Sequence, residues 1–180
     1  MVIEKSLLPE KSVLKTNERQ YDYVDSFQGC FVDKNRTITS TKIGKSFFTS
    51  SPKWIDRLFT FRNKLVGLVG LKTSGELTDR QKMLDNFNCE KGEQLGLFKV
   101  FDKTTNEVVL GEDDKHLNFR VSLFVDQQSG YNTKKMLIIS TTVEFNNWLG
   151  RLYFLPVRPF HKLIVPTILK GIIKNIEQQN

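Results

Sequence analysis

Metal ligands and reactive thiols are scarce in this sequence. Its 180 residues include two cysteines and two histidines. Cys30, Cys89, His116 and His161 stand far apart, with neither a Cys-x-x-Cys nor a His-x-x-x-His spacing. That pattern argues against a zinc site and a disulfide framework, and the expectation is no metal and no cofactor. Long apolar runs are missing too. No stretch approaches the roughly 20 residues that a membrane-spanning helix needs. Residues 1–20 carry Glu4, Lys5, Glu10, Lys11 and Lys15 around a lone Leu7-Leu8 pair, which is no signal-peptide core. A cytoplasmic protein without a membrane span is therefore expected, in which the sequon Asn35-Arg36-Thr37 goes unused.

Glycine-rich phosphate loops are absent as well. Gly44-Lys45-Ser46 ends like one, but Thr39 stands where that motif requires glycine, and Gly67 with Gly70 makes no dinucleotide fingerprint. No serine or cysteine sits in a nucleophile elbow, and no internal repeat or low-complexity tract occurs. What is present is ordinary for a globular chain: 39% hydrophobic residues, 26% charged, and fourteen phenylalanines to fill a core. The length suits one domain, since two would each be marginal. A balance of 27 basic against 20 acidic residues gives a net charge of +7. The excess is spread along expected helices as Lys42, Lys45, Lys53, Arg57, Arg62, Lys64, Arg151, Arg158, Lys162, Lys170 and Lys174. Solvated helix faces are the plain explanation, and attraction to an anionic ligand, a membrane surface or nucleic acid the sharper one. Without a basic cluster interleaved with exposed aromatics, a nucleic-acid partner is not expected.

Hydrophobic periodicity organises the chain around its C-terminal stretch. Over residues 147–176, Leu149, Leu152, Tyr153, Pro156, Phe160, Leu163, Ile164 and Thr167 follow one helical face, with Arg151, Arg158 and Lys162 opposite. The spacing predicts an amphipathic helix, which Pro156, Pro159 and Pro166 kink, or divide at Pro159. Upstream, Leu117, Phe119, Val121, Leu123 and Val125, then Leu137, Ile139, Thr141, Val143 and Phe145, recur with period two, as half-buried strands do. With strands at 97–102 and 107–112 they make an antiparallel meander joined by short polar turns. Residues 21–32 read as a first strand with Tyr21, Tyr23 and Phe27 on one face, preceded by a polar, loosely held arm over 1–20. Thr39, Ser40 or Thr41 caps a short helix through Phe48. Ser51-Pro52 starts another, whose apolar stripe of Trp54, Ile55, Leu58, Phe59, Leu65, Val66 and Val69 includes Arg62. Thr78 or Asp79 caps a third, through Phe87. The expected class is α+β, a curved antiparallel sheet wrapped around a long C-terminal α-helix, in a single domain over 21–180.

Strand, two helices, a meander and a long final helix is an order that resembles the START-like helix-grip superfamily, also called SRPBCC. The segments Tyr23-Val24-Asp25-Ser26-Phe27, Pro52-Lys53-Trp54-Ile55, Leu58 with Arg62, Gly111-Glu112-Asp113-Asp114-Lys115-His116, and Gly150-Arg151-Leu152-Tyr153-Phe154 through Arg158-Pro159-Phe160-His161 are more specific. Together they look like the bacterial family called domain of unknown function 2867, over residues 21–176. The resemblance implies a helix-grip fold and carries no activity with it. Similar domains also occur fused behind sugar-epimerase-like dinucleotide-binding domains, which implies an accessory role for a separate oxidoreductase as one reading.

The function expected is binding of a small, largely apolar or anionic molecule in a cavity between the sheet and the C-terminal helix. Its lining would be Tyr23, Phe27, Trp54, Leu58, Phe119, Val121, Ile139, Tyr153 and Phe160, with Arg62 and His161 as polar anchors. The alternative is an acid-base enzyme using the same cavity, with Asp114, His116 and His161 as candidates. Against that stand plainer roles. Asp113 or Asp114 would pair with Arg62 or Arg120, and His161 would hydrogen-bond at the core edge.

Overall fold

The computed structural model describes residues 1–16, 20–50, 80–126 and 133–178. The described strands are β1 (Ile3–Ser6), β2 (Tyr23–Val32), β3 (Gln94–Leu95), β4 (Phe98–Lys103), β5 (Glu107–Asp113), β6 (Leu117–Asp126) and β7 (Lys134–Phe145). They form one curved, open antiparallel sheet in the order β1-β2-β7-β6-β5-β4-β3. The described helices are α1 (Val13–Thr16), a single turn, then α2 (Ser40–Thr49), α3 (Arg80–Asn86) and α4 (Trp148–Gln178). The fold is α+β, with the long C-terminal helix against the sheet. Period two survives into the register, where Val121, Leu123 and Val125 face Thr141, Ile139 and Leu137. Thr39 caps α2, its hydroxyl accepting from the Lys42 amide at 3.2 Å. The helix expected from Ser51-Pro52, with Trp54, Leu58 and Arg62, and the caps Thr78 and Asp79 lie outside the described residues.

The odd-numbered face of β6 and β7 meets the helices. Ile168, Leu169, Ile172, Ile173 and Ile176 of α4 pack with Ile43, Phe47 and Phe48 of α2 and with Phe31, Leu110, Leu123, Leu137 and Ile139 of the sheet. Burying each such side chain stabilises the fold by roughly 1.5–3 kcal/mol. The buried side of α4 corrects the stripe expected from the sequence. It consists of Gly150, Phe154, Val165, Ile168, Leu169, Ile172, Ile173 and Ile176, whereas Leu152, Phe160 and Leu163 are 55%, 50% and 64% exposed. The two faces differ by nearly half a turn. The first half of the helix has apolar residues on both sides, so its own periodicity is ambiguous. Gly150, which no count of apolar residues selects, faces inward because a Cβ there would stand 2.1 Å from the His116 carbonyl oxygen. Nor do the prolines divide the helix, which runs unbroken through Pro156, Pro159 and Pro166. The carbonyls deprived of a partner four residues on are those of Leu152, Leu155 and Lys162, all exposed residues, where water can serve them.

The other face of the sheet is covered by the N-terminal segment, which corrects the loosely held arm. β1 pairs with β2 through Ile3↔Gly29 to Ser6↔Ser26. Beyond it the chain crosses the even-numbered face, where Ser26, Ser122, Ser140, Thr142, Phe124 and Ile138 are buried together with Ser12 and Leu14. Glu107, 1% exposed, holds this cover down. Its side-chain oxygens accept from Ser12 Oγ at 2.6 Å, the Val13 amide at 2.8 Å and Ser122 Oγ at 2.5 Å. Hydrogen bonding rather than apolar patterning makes the attachment, so the sequence reads as a tail. Replacing Glu107→Ala leaves two hydroxyls and an amide without their acceptor, and is expected to cost about 3 kcal/mol or more in denaturant unfolding. Ser12→Ala should cost about 1 kcal/mol; equal losses for the two would contradict an anchor centred on Glu107.

Candidate functional site

β2, β7 and the first half of α4 gather polar groups against apolar walls. Alternation along β2 sends Tyr23 and Asp25 to the helix side, paired across the ladder with Val143 and Thr141 of β7. On α4, Phe154, Arg158 and His161 recur at steps of four and three and so share one side. Phe154 sets the contact: its ring centroid lies 4.8 Å from that of Tyr23 and 5.6 Å from that of Phe145. The Tyr23 hydroxyl donates to Asp25 Oδ2 at 2.5 Å, and the same oxygen lies 3.1 Å from His161 Nδ1. The other carboxyl oxygen, Asp25 Oδ1, and Thr141 Oγ1 across the ladder are buried with no hydrogen-bond partner among the described residues. Burial first, then the hydrogen bond and charge of Asp25, raise the Tyr23 phenol well above its ordinary 10.0, and Arg158 only partly opposes them. Tyr23 is thus fixed as a neutral donor.

Beside this cluster opens a surface groove of about 440 Å³. Phe145, Phe154, Leu152 and Leu155 form its apolar walls, with Tyr23, Asp22, Arg151 and Arg158 as the polar lining. Besides Tyr23, which is held by Asp25, two of those polar groups are occupied. Arg151 lies 3.4 Å from Asp22 Oδ1 and over the Phe145 ring at 5.8 Å, and Asp22 Oδ2 accepts from the Phe145 amide at 2.7 Å. Arg158 is placed differently, with its guanidinium carbon 5.4 Å from the Tyr23 ring centroid and no carboxylate paired to it among the described residues.

Of the lining expected from the sequence, only Tyr23 reaches this groove among the described residues. Val121 and Ile139 are buried in the main core, with Phe27 and Phe119 packed against it. Tyr153 packs on the smaller cluster of Leu117, Val143 and Phe154. Phe160 is exposed, and His161 is turned to Asp25. Trp54, Leu58 and Arg62 lie outside the described residues.

The other candidates form a separate cluster at the turn before β6. Asp114 Oδ1 accepts from the His116 amide at 3.2 Å, and the buried His116 ring lies 3.2 Å from Asn147 Oδ1. That point is at the start of α4, about 21 Å along the helix from His161, so the two histidines are not brought together. Arg120 pairs with Asp113 at 2.6 Å and stacks 3.4 Å over Phe101, which is the structural ion pairing weighed from the sequence. Asp25 and Arg158 were not among the expected site residues. A signal for Asp25 was legible, because a carboxylate two residues after Tyr23 falls on the inward face of a strand. Burial pushes the Cys89 thiol up to about 12, leaving it unreactive. No group of three or more metal-ligating residues occurs among the described residues, and no helix among them is long and apolar enough to cross a membrane.

Residues 18–168 match the family described as Protein of unknown function (DUF2867), and the chain belongs to that family. No curated protein and no solved structure matches it.

The raised phenol of Tyr23 makes alkaline stability a readout of the cluster. The unfolded chain ionises first, so the contribution is complete below the ordinary value of 10.0 and is lost as pH climbs beyond it. Tyr23→Phe is expected to cost about 1–2 kcal/mol at neutral pH and to flatten the decline above pH ~10. Urea unfolding across that range checks both effects, and an unchanged alkaline slope in the variant would contradict the assignment.

Proposed function

We propose that this member of the DUF2867 family binds a small amphipathic anion, a carboxylate or similar group on a largely apolar body, in the groove beside α4. Arg158 carries the proposal. It is a guanidinium at the lip of an apolar groove, against a neutral phenol, with no carboxylate of its own among the described residues. Guanidinium groups recognise carboxylates through paired, charge-assisted hydrogen bonds. Phe145, Phe154, Leu152 and Leu155 offer the apolar body a wall, in a volume within the range of small-molecule sites. The binding place is thereby moved from the interior, which leucine and isoleucine side chains fill, to the rim between β2 and α4. We hold the START-like, helix-grip assignment as part of the same proposal, its expected 21–180 domain extended by β1 of the same sheet; the long helix lying across an antiparallel sheet supports it.

An acid-base enzyme is the second reading, favoured by one observation. Asp25 holds His161 Nδ1 and the Tyr23 hydroxyl on a single oxygen, as a carboxylate does when it orients a catalytic imidazole.

Calorimetric titration with octanoate, paired with octanol, separates recognition of charge from burial of a chain. Octanoate should bind and octanol should not compare with it. Arg158→Gln is expected to weaken octanoate by on the order of tenfold or more. Arg151→Gln should do less, because Asp22 already holds that side chain. Equal binding of acid and alcohol, or indifference to Arg158→Gln, would overturn the proposal.

A further inference from the structure

The outward side of α4 ought to be polar, and over its first half it is not. Trp148, Leu152, Leu155 and Leu163 are 69%, 55%, 66% and 64% exposed, with Phe160 50% exposed on their flank. Together with Pro159 they follow steps of four, three, four and four along one line, opposite the side that buries Phe154 and Ile168. The line runs for about 22 Å. Arg151, Arg158 and Lys162 stand along one edge of it, and the helix has no acidic residue before Glu177.

We propose that this ridge docks on an anionic membrane surface, with α4 lying in the plane of the interface. Trp148 and the leucines would enter the boundary between headgroups and acyl chains, and the three cations would meet lipid phosphates. The ridge shares Leu152, Leu155, Arg151 and Arg158 with the groove, but the inference does not rest on small-molecule binding there. Charge decides against the obvious competitor, a second copy of the chain. The apolar spacing would suit helix pairing, but a second α4 brings the same cations and no carboxylate to face them, and Pro156 and Pro159 interrupt the seam. Phosphates supply the missing charge, and a chain with a net charge of +7 is drawn to them. An exposed tryptophan at the end of the ridge is suited to the interfacial layer. Since no described helix can span a bilayer, the attachment is superficial.

Co-sedimentation of the full chain with vesicles tests this, using mixed phosphatidylglycerol and phosphatidylcholine against phosphatidylcholine alone. Binding to the mixed vesicles should exceed binding to the neutral ones by on the order of tenfold and should fall with salt. Trp148→Ala and Leu163→Glu, both outside the groove lining, should each reduce it by on the order of tenfold and leave octanoate binding unchanged. Lys162→Glu should act in the same direction. Equal binding to both vesicle types would overturn the proposal, as would binding indifferent to Trp148→Ala and Leu163→Glu. Absence of vesicle binding also overturns it, and a dimer in sedimentation equilibrium abolished by Leu163→Glu would then assign the ridge to a second copy.

Discussion

Everything at the groove end of this molecule depends on how the second half of α4 is seated. Ile168, Leu169, Ile172, Ile173 and Ile176, each at most 4% exposed, leave the helix one rotational setting against β2, β7 and α2. Close packing does not tolerate a rotated alternative, which would turn these side chains out and leave voids behind. Because the helix is continuous, that setting propagates to its first half. Phe154 and His161 are carried inward, while Trp148, Leu152, Leu155 and Leu163 are carried outward. Two glycines fix the approach. A Cβ at Gly150 would press on the His116 carbonyl, and one at Gly171 would stand 2.7 Å from the Ser50 carbonyl oxygen.

The buried carboxyl groups show where the fold departs from full satisfaction. Glu107 is met by two hydroxyls and an amide. For Asp33, burial alone would raise the carboxyl. Lys135, 2.6 Å away, together with the Thr37 and Ile38 amides, brings it instead below the ordinary value. Both groups serve architecture, one holding the N-terminal cover and the other the turn after β2. Asp25 differs, since both of its contacts fall on one oxygen, and the other, like the Thr141 hydroxyl, has no partner among the described residues. Buried polar atoms without partners are rare in a folded chain, and departures of this kind gather at sites that bind or react. Here the departure lies beside the groove.

The contrast between what the sequence discloses and what it hides follows from the kind of force involved. Strands β6 and β7 were legible because a two-residue period of large apolar side chains has one explanation. The start of α2 was legible because Thr39 has cap chemistry. Two features were not. The N-terminal cover is held by Ser12, Val13 and Glu107 through hydrogen bonds between residues more than ninety positions apart, and no local pattern records that. The rotational setting of α4 was misread because its first half is apolar on both sides, and the choice is made elsewhere, by isoleucines two to six turns away. Arg158 went unselected for the same reason, since its meaning comes from which helix side is turned to β2, which only the packing decides.

The capping of α4 bears on why its first half carries this charge. Partial positive charge gathers at a helix N-terminus, and carboxylates placed there are stabilising by about 0.3–1 kcal/mol. This helix forgoes that stabilisation. Its first turn has no acidic residue; the neutral Asn147 side chain caps it, accepting from the Gly150 amide at 3.2 Å, and Arg151 stands where the helix field disfavours a cation. Asp22 compensates from β2's side at 3.4 Å, while Arg158 and Lys162 continue the positive edge about two and three turns on without a carboxylate on the helix. A chain under no demand beyond stability would place an acid in that first turn. Positive potential kept beside an apolar groove and an apolar ridge is the arrangement that an amphipathic anion, in solution or at a lipid surface, complements.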